Sequence, residues 1–238
     1  ILWRGVTESE AFLSGRTMIM AGHEILKFVC YPISNTPDAN GKFSINWIAE
    51  RHMPPTYQWR REDYNRPAKL EEFLPWFKDW TFDWLDVPGL IRNCSRAYEY
   101  PLVDRDPIPQ WTFGKVTLMG DAAHPMYPIG SNGASQAILD ARVLTREILA
   151  RGPTNAALLA YEAERRPATT EIVMLNRRNG PEQVMQLVEE RAPDGYDVVT
   201  DVLSLKELED IAANYKRVAG FQVDGLNAKP PIVQRKAG

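Results

Sequence analysis

Short β-rich runs dominate the first hundred positions of the chain, and helical periodicity dominates the rest. Residues 17–21, 26–33 and 42–50 are β-rich, and Asn35-Thr-Pro-Asp-Ala-Asn-Gly41 between the last two is a loop of turn formers. The pattern predicts an antiparallel sheet with hairpin-type connections, one face buried and the other free to cover a ligand. Pro54-Pro55 closes this section. Residues 67–84 then place Leu70, Phe73, Leu74 and Phe77 at helix spacing, which predicts a helix. The aromatics Phe73, Trp76, Phe77, Trp80, Phe82 and Trp84 fit ordinary core packing, which is the expectation, or an aromatic-binding pocket.

Residues 98–103 predict a further strand, followed by the proline-broken loop Asp104-Arg-Asp-Pro-Ile-Pro-Gln-Trp111. Residues 115–119 are a short apolar run between Gly114 and Gly120, the pattern of a buried strand. From 134 to 149 the spacing turns helical, with Ile138, Ala141, Thr145 and Ile148 along one face. Thr154 is suited to cap a second helix, which meets Pro167 and is expected to kink or restart there. Residues 181–191 and 204–218 predict two further amphipathic helices. The polar, proline-containing stretch 224–238 is expected to be disordered or draped over the surface. No internal repeat or low-complexity tract interrupts this order.

Composition narrows the class. The 238 residues are 44% hydrophobic and 25% charged, the profile of a soluble globular protein long enough for a sizeable core. A net charge of −3 gives no global reason to expect nucleic acid or an anionic membrane as a partner. No stretch is long and apolar enough to span a bilayer, and Ile1 to Arg4 does not open a signal peptide. Cys30 and Cys94 form no CxxC pair, and His23, His52 and His124 have no metal-ligand spacing. Two reduced thiols in a cytoplasmic protein are expected.

Candidate chemistry concentrates in Gly120-Asp-Ala-Ala-His-Pro-Met-Tyr-Pro-Ile-Gly-Ser-Asn-Gly-Ala-Ser-Gln-Ala-Ile-Leu-Asp-Ala141. Asp121 is expected at the C-terminal end of a buried strand, where ligands of α/β folds bind and a carboxylate can accept hydrogen bonds from sugar-like hydroxyls. Pro128-Ile-Gly-Ser-Asn-Gly133 is a glycine-bearing loop that opens a helix. The first helical amides have no intrahelical partners, and their dipole favours an anion or a developing negative charge. Gly130 and Gly133 permit close approach or positive φ. The same strand, aspartate, loop and helix also describe a plain crossover with Asp121 as a turn residue.

Gly120-Asp-Ala-Ala-His124 followed by Pro128, Gly130 and Gly133 resembles the second FAD-binding signature of the class A flavoprotein monooxygenases. That family includes p-hydroxybenzoate, salicylate and phenazine hydroxylases. Tyr100-Pro-Leu-Val-Asp-Arg-Asp-Pro-Ile-Pro-Gln-Trp111 resembles the segment before the signature, and Tyr161-Glu-Ala-Glu-Arg-Arg-Pro167 the helix after it. The variant from Met126 to Asp140 looks most like the phenazine-hydroxylase branch. The resemblance implies a cofactor-binding set of Gly120, Asp121, Pro128, Gly130, Gly133, Ala134 and Ser135. Asp121 would bind ribityl or diphosphate-side hydroxyls of FAD, and Pro128 would lie beside the isoalloxazine ring. The amides of Ala134 and Ser135 would face the flavin N1–C2=O edge. Many relatives carry Asn at the position of Ser135, so only the backbone role carries over there. Tyr127 and Pro128 are the substrate-side candidates, with packing the alternative for Tyr127. His124 is expected to brace the loop, and Arg105 to pair with a nearby carboxylate. No protein nucleophile and no metal are expected.

The implied fold is a truncated mixed α/β (α+β) one. An antiparallel substrate-domain sheet with its helix occupies 1–100, the C-terminal part of an FAD/NAD(P)-binding domain 101–180, and C-terminal helices and tail 181–238. The family's G-x-G-x-x-G unit for the ADP half of FAD has no match here, nor does its Asp-Gly motif, since Asp224-Gly225 lies in the wrong context. Trp3-Arg-Gly-Val-Thr7 resembles the start of the substrate-domain sheet, so the chain is expected to begin midway through the fold. The missing N-terminal half or a homo-oligomer would then be its partner. The implied activity is hydroxylation of a small aromatic substrate by NAD(P)H and O2 through a flavin C4a-hydroperoxide. The alternatives are another flavoprotein oxidoreductase on the same scaffold, such as a halogenase or dehydrogenase, and an inactive truncated remnant.

Overall fold

Strict alternation builds the first strand. In β1 (Leu2–Ser9), Trp3, Gly5 and Thr7 are buried on one face while Arg4, Val6 and Glu8 lie on the other. The computed structural model describes residues 1–58 and 63–228, and the chain divides into two units, Ile1–Leu102 and Val103–Gly238.

The first unit continues with β2 (Ile19–Gly22), β3 (Leu26–Pro32), β4 (Phe43–Arg51) and the two-residue β5 (Arg66–Pro67). A small hairpin of β6 (Thr81–Phe82) and β7 (Leu85–Asp86) leads into helix α1 (Val87–Arg92), and β8 (Ala97–Tyr100) completes the unit. Six strands form one sheet in the order β2-β3-β4-β1-β8-β5, and every pairing is antiparallel. The antiparallel sheet expected from the sequence is therefore present, with Trp3, Phe28, Cys30, Ile45, Trp47, Ala49 and Ala97 on its core face. Phe73 stacks on Trp3 at 4.9 Å, and Phe77 packs on Phe28, so these two aromatics are core residues. Phe82 and Trp84 instead stack on each other at the surface.

The helix expected over 67–84 is not formed. Two short 3-10 turns, Leu70–Glu72 and Leu74–Trp76, stand there instead, broken at Phe73. Pro75 supplies no backbone donor and disfavours helical geometry at Leu74, so the run cannot propagate as an α-helix. The spacing of Phe73 and Phe77 reflects two successive 3-10 turns that put both rings into one core. Helix α1 was not legible as periodicity. Asp86 caps it by accepting from the Gly89 amide at 2.9 Å.

Several polar groups within this core are paired. The Trp47 indole donates to Thr7 Oγ1 at 3.0 Å, and Thr7 donates to the Leu90 carbonyl at 2.7 Å. Glu99 accepts from the Trp3 indole at 3.1 Å and from Arg66 at 2.6 Å. Gly5 sits directly under Trp47, where an added Cβ would lie 2.4 Å from the indole Cζ2. Since the hydrogen bond to Thr7 holds the indole in place, Gly5→Ala is expected to destabilise by about 1–3 kcal/mol. Chemical denaturation of the variant measures this.

The second unit begins with an extended segment and the hairpin β9 (Thr112–Phe113) and β10 (Val116–Thr117). The run 115–119 is thus not a buried strand. Gly114, at φ +64°, turns the chain, and Phe113 and Val116 face outward at 56% and 63% exposure. Five helices follow: α2 (Gly133–Arg151), α3 (Asn155–Asn176), α4 (Gln183–Arg191), α5 (Val199–Val202) and α6 (Leu205–Val218). A last short helix, α7 (Val223–Asn227), occupies part of the stretch expected to lack structure, while residues 229–238 lie outside the described residues.

Thr154 caps α3 through the Ala157 amide, and Ser204 with Glu207 forms a reciprocal capping box on α6. Pro167 neither ends nor restarts α3, which is continuous from Asn155 to Asn176. The Thr169 hydroxyl donates to the Arg165 carbonyl and the Thr170 hydroxyl to that of Arg166, adding bonds beside the donor that proline lacks. Trp111, Ala123, Val143 and Tyr161 form the hydrophobic centre between β9, the following loop and the two long helices.

Candidate functional site

The segment 120–135 is folded as two turns that lead into α2. Gly120–Ala122 forms one 3-10 turn, so Asp121 stands within a turn rather than at a strand end, four residues beyond β10. Gly120 adopts φ +56° and lies against α2, where an added Cβ would stand 3.4 Å from Ala137 Cβ. Ile129–Ser131 forms the second turn, with Gly130 at φ +73° and Ser131 at φ +51°. Helix α2 starts at Gly133. Its first helical bond runs from Gln136 N to Asn132 O at 3.0 Å, so the amides of Gly133, Ala134 and Ser135 precede it.

These turns bring Asp121 to the helix start. An ideal Cβ on Gly133 would stand 4.0 Å from Asp121 Oδ1. Asp121 and Ala134 are exposed, and Gly133 and Ser135 are half-buried. An acceptor carboxylate and amides without an intrahelical partner thus lie together at the helix start. Pro128 is exposed and Tyr127 half-buried. Burial, with the charge of Asp104, pushes the Tyr127 phenol above its ordinary value, keeping it protonated.

Beneath this helix start lies a buried polar network that sequence reasoning missed. Asp140, fully buried in α2, accepts from the Gly120 amide at 2.9 Å, His124 Nε2 at 2.6 Å and Arg165 Nε at 2.7 Å. Burial pushes the Asp140 carboxyl up, but these hydrogen bonds outweigh it and hold the group below the usual value. Arg165 also donates to Gln136 Oε1 at 2.7 Å, and Gln136 donates to Asn132 Oδ1 at 3.0 Å. Asn132 reaches the Tyr215 hydroxyl at 3.3 Å, which in turn meets Asn176 Oδ1 at 3.3 Å. Asn176 Nδ2 donates to the Tyr127 carbonyl at 3.1 Å. The network therefore ties both turns to α2, α3 and α6. Two signals were available: Gln136 and Asp140 lie four apart on one helix face, and Arg165 is part of the downstream helix motif.

His124 braces the first turn through Asp140 and packs its ring near Trp111. Its buried Nδ1 has no hydrogen-bond partner among the described residues. Arg105 is exposed and makes no ion pair among the described residues. Arg177 takes the role expected of it, pairing with Asp104 at 2.6 Å and Asp106 at 2.8 Å. Those two carboxylates raise the Arg177 guanidinium above its ordinary value.

Residues 103–176 match a protein-family model described as an FAD binding domain. Over 179 residues the chain is 47% identical to phenazine 1,6-dicarboxylic acid hydroxylase of Lysobacter antibioticus, an alignment that covers 74% of this chain and 44% of that protein. It is 32% identical over 215 residues to 6-hydroxynicotinate 3-monooxygenase of Bordetella bronchiseptica, covering 77% of this chain and 54% of that one. Among solved structures, a salicylate hydroxylase in a substrate complex superposes with a TM-score of 0.59 at 23% identity, covering 92% of this chain and 56% of that chain. That last likeness speaks for the fold alone. The chain spans about half the length of the relatives it matches. Among the described residues, no helix is long and apolar enough to cross a membrane.

Proposed function

We propose that this chain, a partial-length homologue of the FAD-dependent aromatic monooxygenases, forms the part of such an enzyme that holds the flavin's pyrimidine edge and ribityl chain. The observation that carries the reading is the placing of Asp121 beside the opening amides of α2. FAD fits that donor set. A carboxylate suits the hydroxyls of a polyol, and fixed amides at a helix N-terminus suit a carbonyl edge that gains negative charge.

In this reading FAD, when bound, supplies the redox chemistry that uses NAD(P)H and O2 to hydroxylate a small aromatic ring. Asp121 holds the ribityl side. The amides of Ala134 and Ser135 orient the pyrimidine edge and favour its reduced, more negative form. Gly133 leaves the helix start open toward Asp121, Gly120 and Gly130 shape the two turns against Ala137 and Tyr215, and Pro128 bounds the ring. Tyr127, protonated at neutral pH, offers a phenol on the substrate side. Cys30 and Cys94 are free thiols, which supports a cytoplasmic setting.

The test is a titration of the purified protein with FAD, followed by flavin fluorescence. Asp121→Ala is expected to raise Kd roughly tenfold, the loss of one charge-assisted hydrogen bond. An unchanged Kd would remove Asp121 from the site. For the whole enzyme, NAD(P)H oxidation stimulated by an aromatic acid, with O2-dependent product, is the expected activity. Oxidation without oxygenated product would favour another flavoprotein oxidoreductase.

A further inference from the structure

We propose that Tyr215 is a positioning residue for the flavin edge: from α6, outside the family match, its hydroxyl pins the turn that aims the first amides of α2. The inference rests on the flavin reading of that helix start, and it adds a residue 39 positions beyond the matched segment, which ends at 176.

Two glycines leave room for this one ring. A Cβ on Gly130 would lie 1.9 Å from the Tyr215 hydroxyl oxygen, so that oxygen fills the space a side chain would take. A Cβ on Gly180 would stand 3.1 Å from the ring's Cε2. Both glycines adopt positive φ, +73° and +46°. The segments carrying them are about fifty residues apart in the chain, yet both are shaped around Tyr215.

The hydroxyl sits among three groups of the turn and its support. It lies 3.3 Å from the Ile129 carbonyl, 3.3 Å from Asn176 Oδ1 and 3.3 Å from Asn132 Nδ2. It accepts from Asn132 and donates its one proton to either oxygen. Each contact is long, so no single bond fixes the turn. The constraint comes from the set. Asn176 carries it to the Tyr127 carbonyl, and Asn132 carries it to Gln136 in the first turn of α2.

The turn needs such support. Ser131 lies in the left-handed region at φ +51°, a conformation that costs a non-glycine residue roughly 1–3 kcal/mol and persists only where surroundings enforce it. Relaxation of Ser131 would redirect Asn132 and the amides of Gly133, Ala134 and Ser135. Tyr215 is buried, and burial pushes its phenol above the ordinary tyrosine value.

Tyr215→Phe keeps the ring and removes the hydroxyl, with the exposed Tyr196→Phe as a matched control. Two readouts decide. Hydrogen exchange of the protein without cofactor is expected to speed up about tenfold at amides 131–135, and to stay unchanged along α3. With FAD, Kd is expected to rise about tenfold. The midpoint potential should fall by about 30 mV, the two-electron equivalent of a tenfold weaker preference for the reduced flavin. A purely structural role would lower the melting temperature and leave the potential where it is, which overturns the proposal. Unchanged exchange at 131–135 overturns it as well. Wild-type protein that takes up no FAD overturns the flavin reading instead, while the exchange result still decides whether Tyr215 holds the turn.

Discussion

Asp140→Ala is expected to lower the unfolding free energy by about 3–5 kcal/mol, the scale for removing one partner of a buried ion pair. The change leaves the Arg165 guanidinium without its carboxylate at a site where both side chains are almost wholly buried. It also strips an acceptor from His124 Nε2 and from the Gly120 amide. For a chain of this size the loss corresponds to roughly 10 °C in melting temperature. A double variant, Asp140→Leu with Arg165→Met, is expected to recover part of the loss, because an apolar pair strands no charge. Denaturant titrations of the three variants measure these differences, and a single-variant loss below about 1 kcal/mol would contradict the assignment.

The same carboxylate sets an acid limit. Its folded-state pKa lies below the unfolded value of about 3.9, so its stabilisation is fully present above that pH. The contribution is lost as pH falls through the lower, folded-state value. Melting temperatures of the wild type should therefore drop more steeply below about pH 4 than those of the double variant, which lacks the group.

Gly130→Val is expected to destabilise by roughly 2–5 kcal/mol, the sum of left-handed strain and overpacking. A β-branched residue is a steric outlier at φ +73°, and its Cβ would overlap the Tyr215 hydroxyl. That hydroxyl cannot swing away freely, because the ring is packed against Gly180. Tyr215→Leu in the Gly130→Val background should relieve the overlap and leave the backbone strain. A double-mutant cycle is then expected to show coupling of about 1–2 kcal/mol. Independent, additive effects would mean that the two residues do not meet.

Local patterning made much of this legible, and long-range pairing did not. Strands β3 and β4 follow from β-rich runs on either side of a turn-rich loop, and α6 from its amphipathic periodicity. The 67–84 segment misled because aromatic spacing in two 3-10 turns imitates a helix, while Pro75 carried the contrary signal. The 115–119 run misled because an apolar composition does not say which face is covered. In the candidate site, the glycines and Asp121 stood out through their types and spacing. Asn132, Asn176 and Tyr215 did not, because each is an ordinary polar residue until the fold brings together positions 39 to 86 apart in the chain. Arg105 and Arg177 show the same limit. An ion pair was expected of Arg105, but the carboxylates on either side of it, Asp104 and Asp106, are met by Arg177 at the end of α3.

The hollow that Gly5 leaves beneath Trp47 also acts as an alignment key for the sheet. Sliding β1 by one residue along β4 would push Arg4 or Val6 under the indole, where neither fits, and would turn Trp3 out to solvent. A one-residue slip of these central strands therefore does not close, so that mispairing is rejected at the middle of the sheet rather than at its edges.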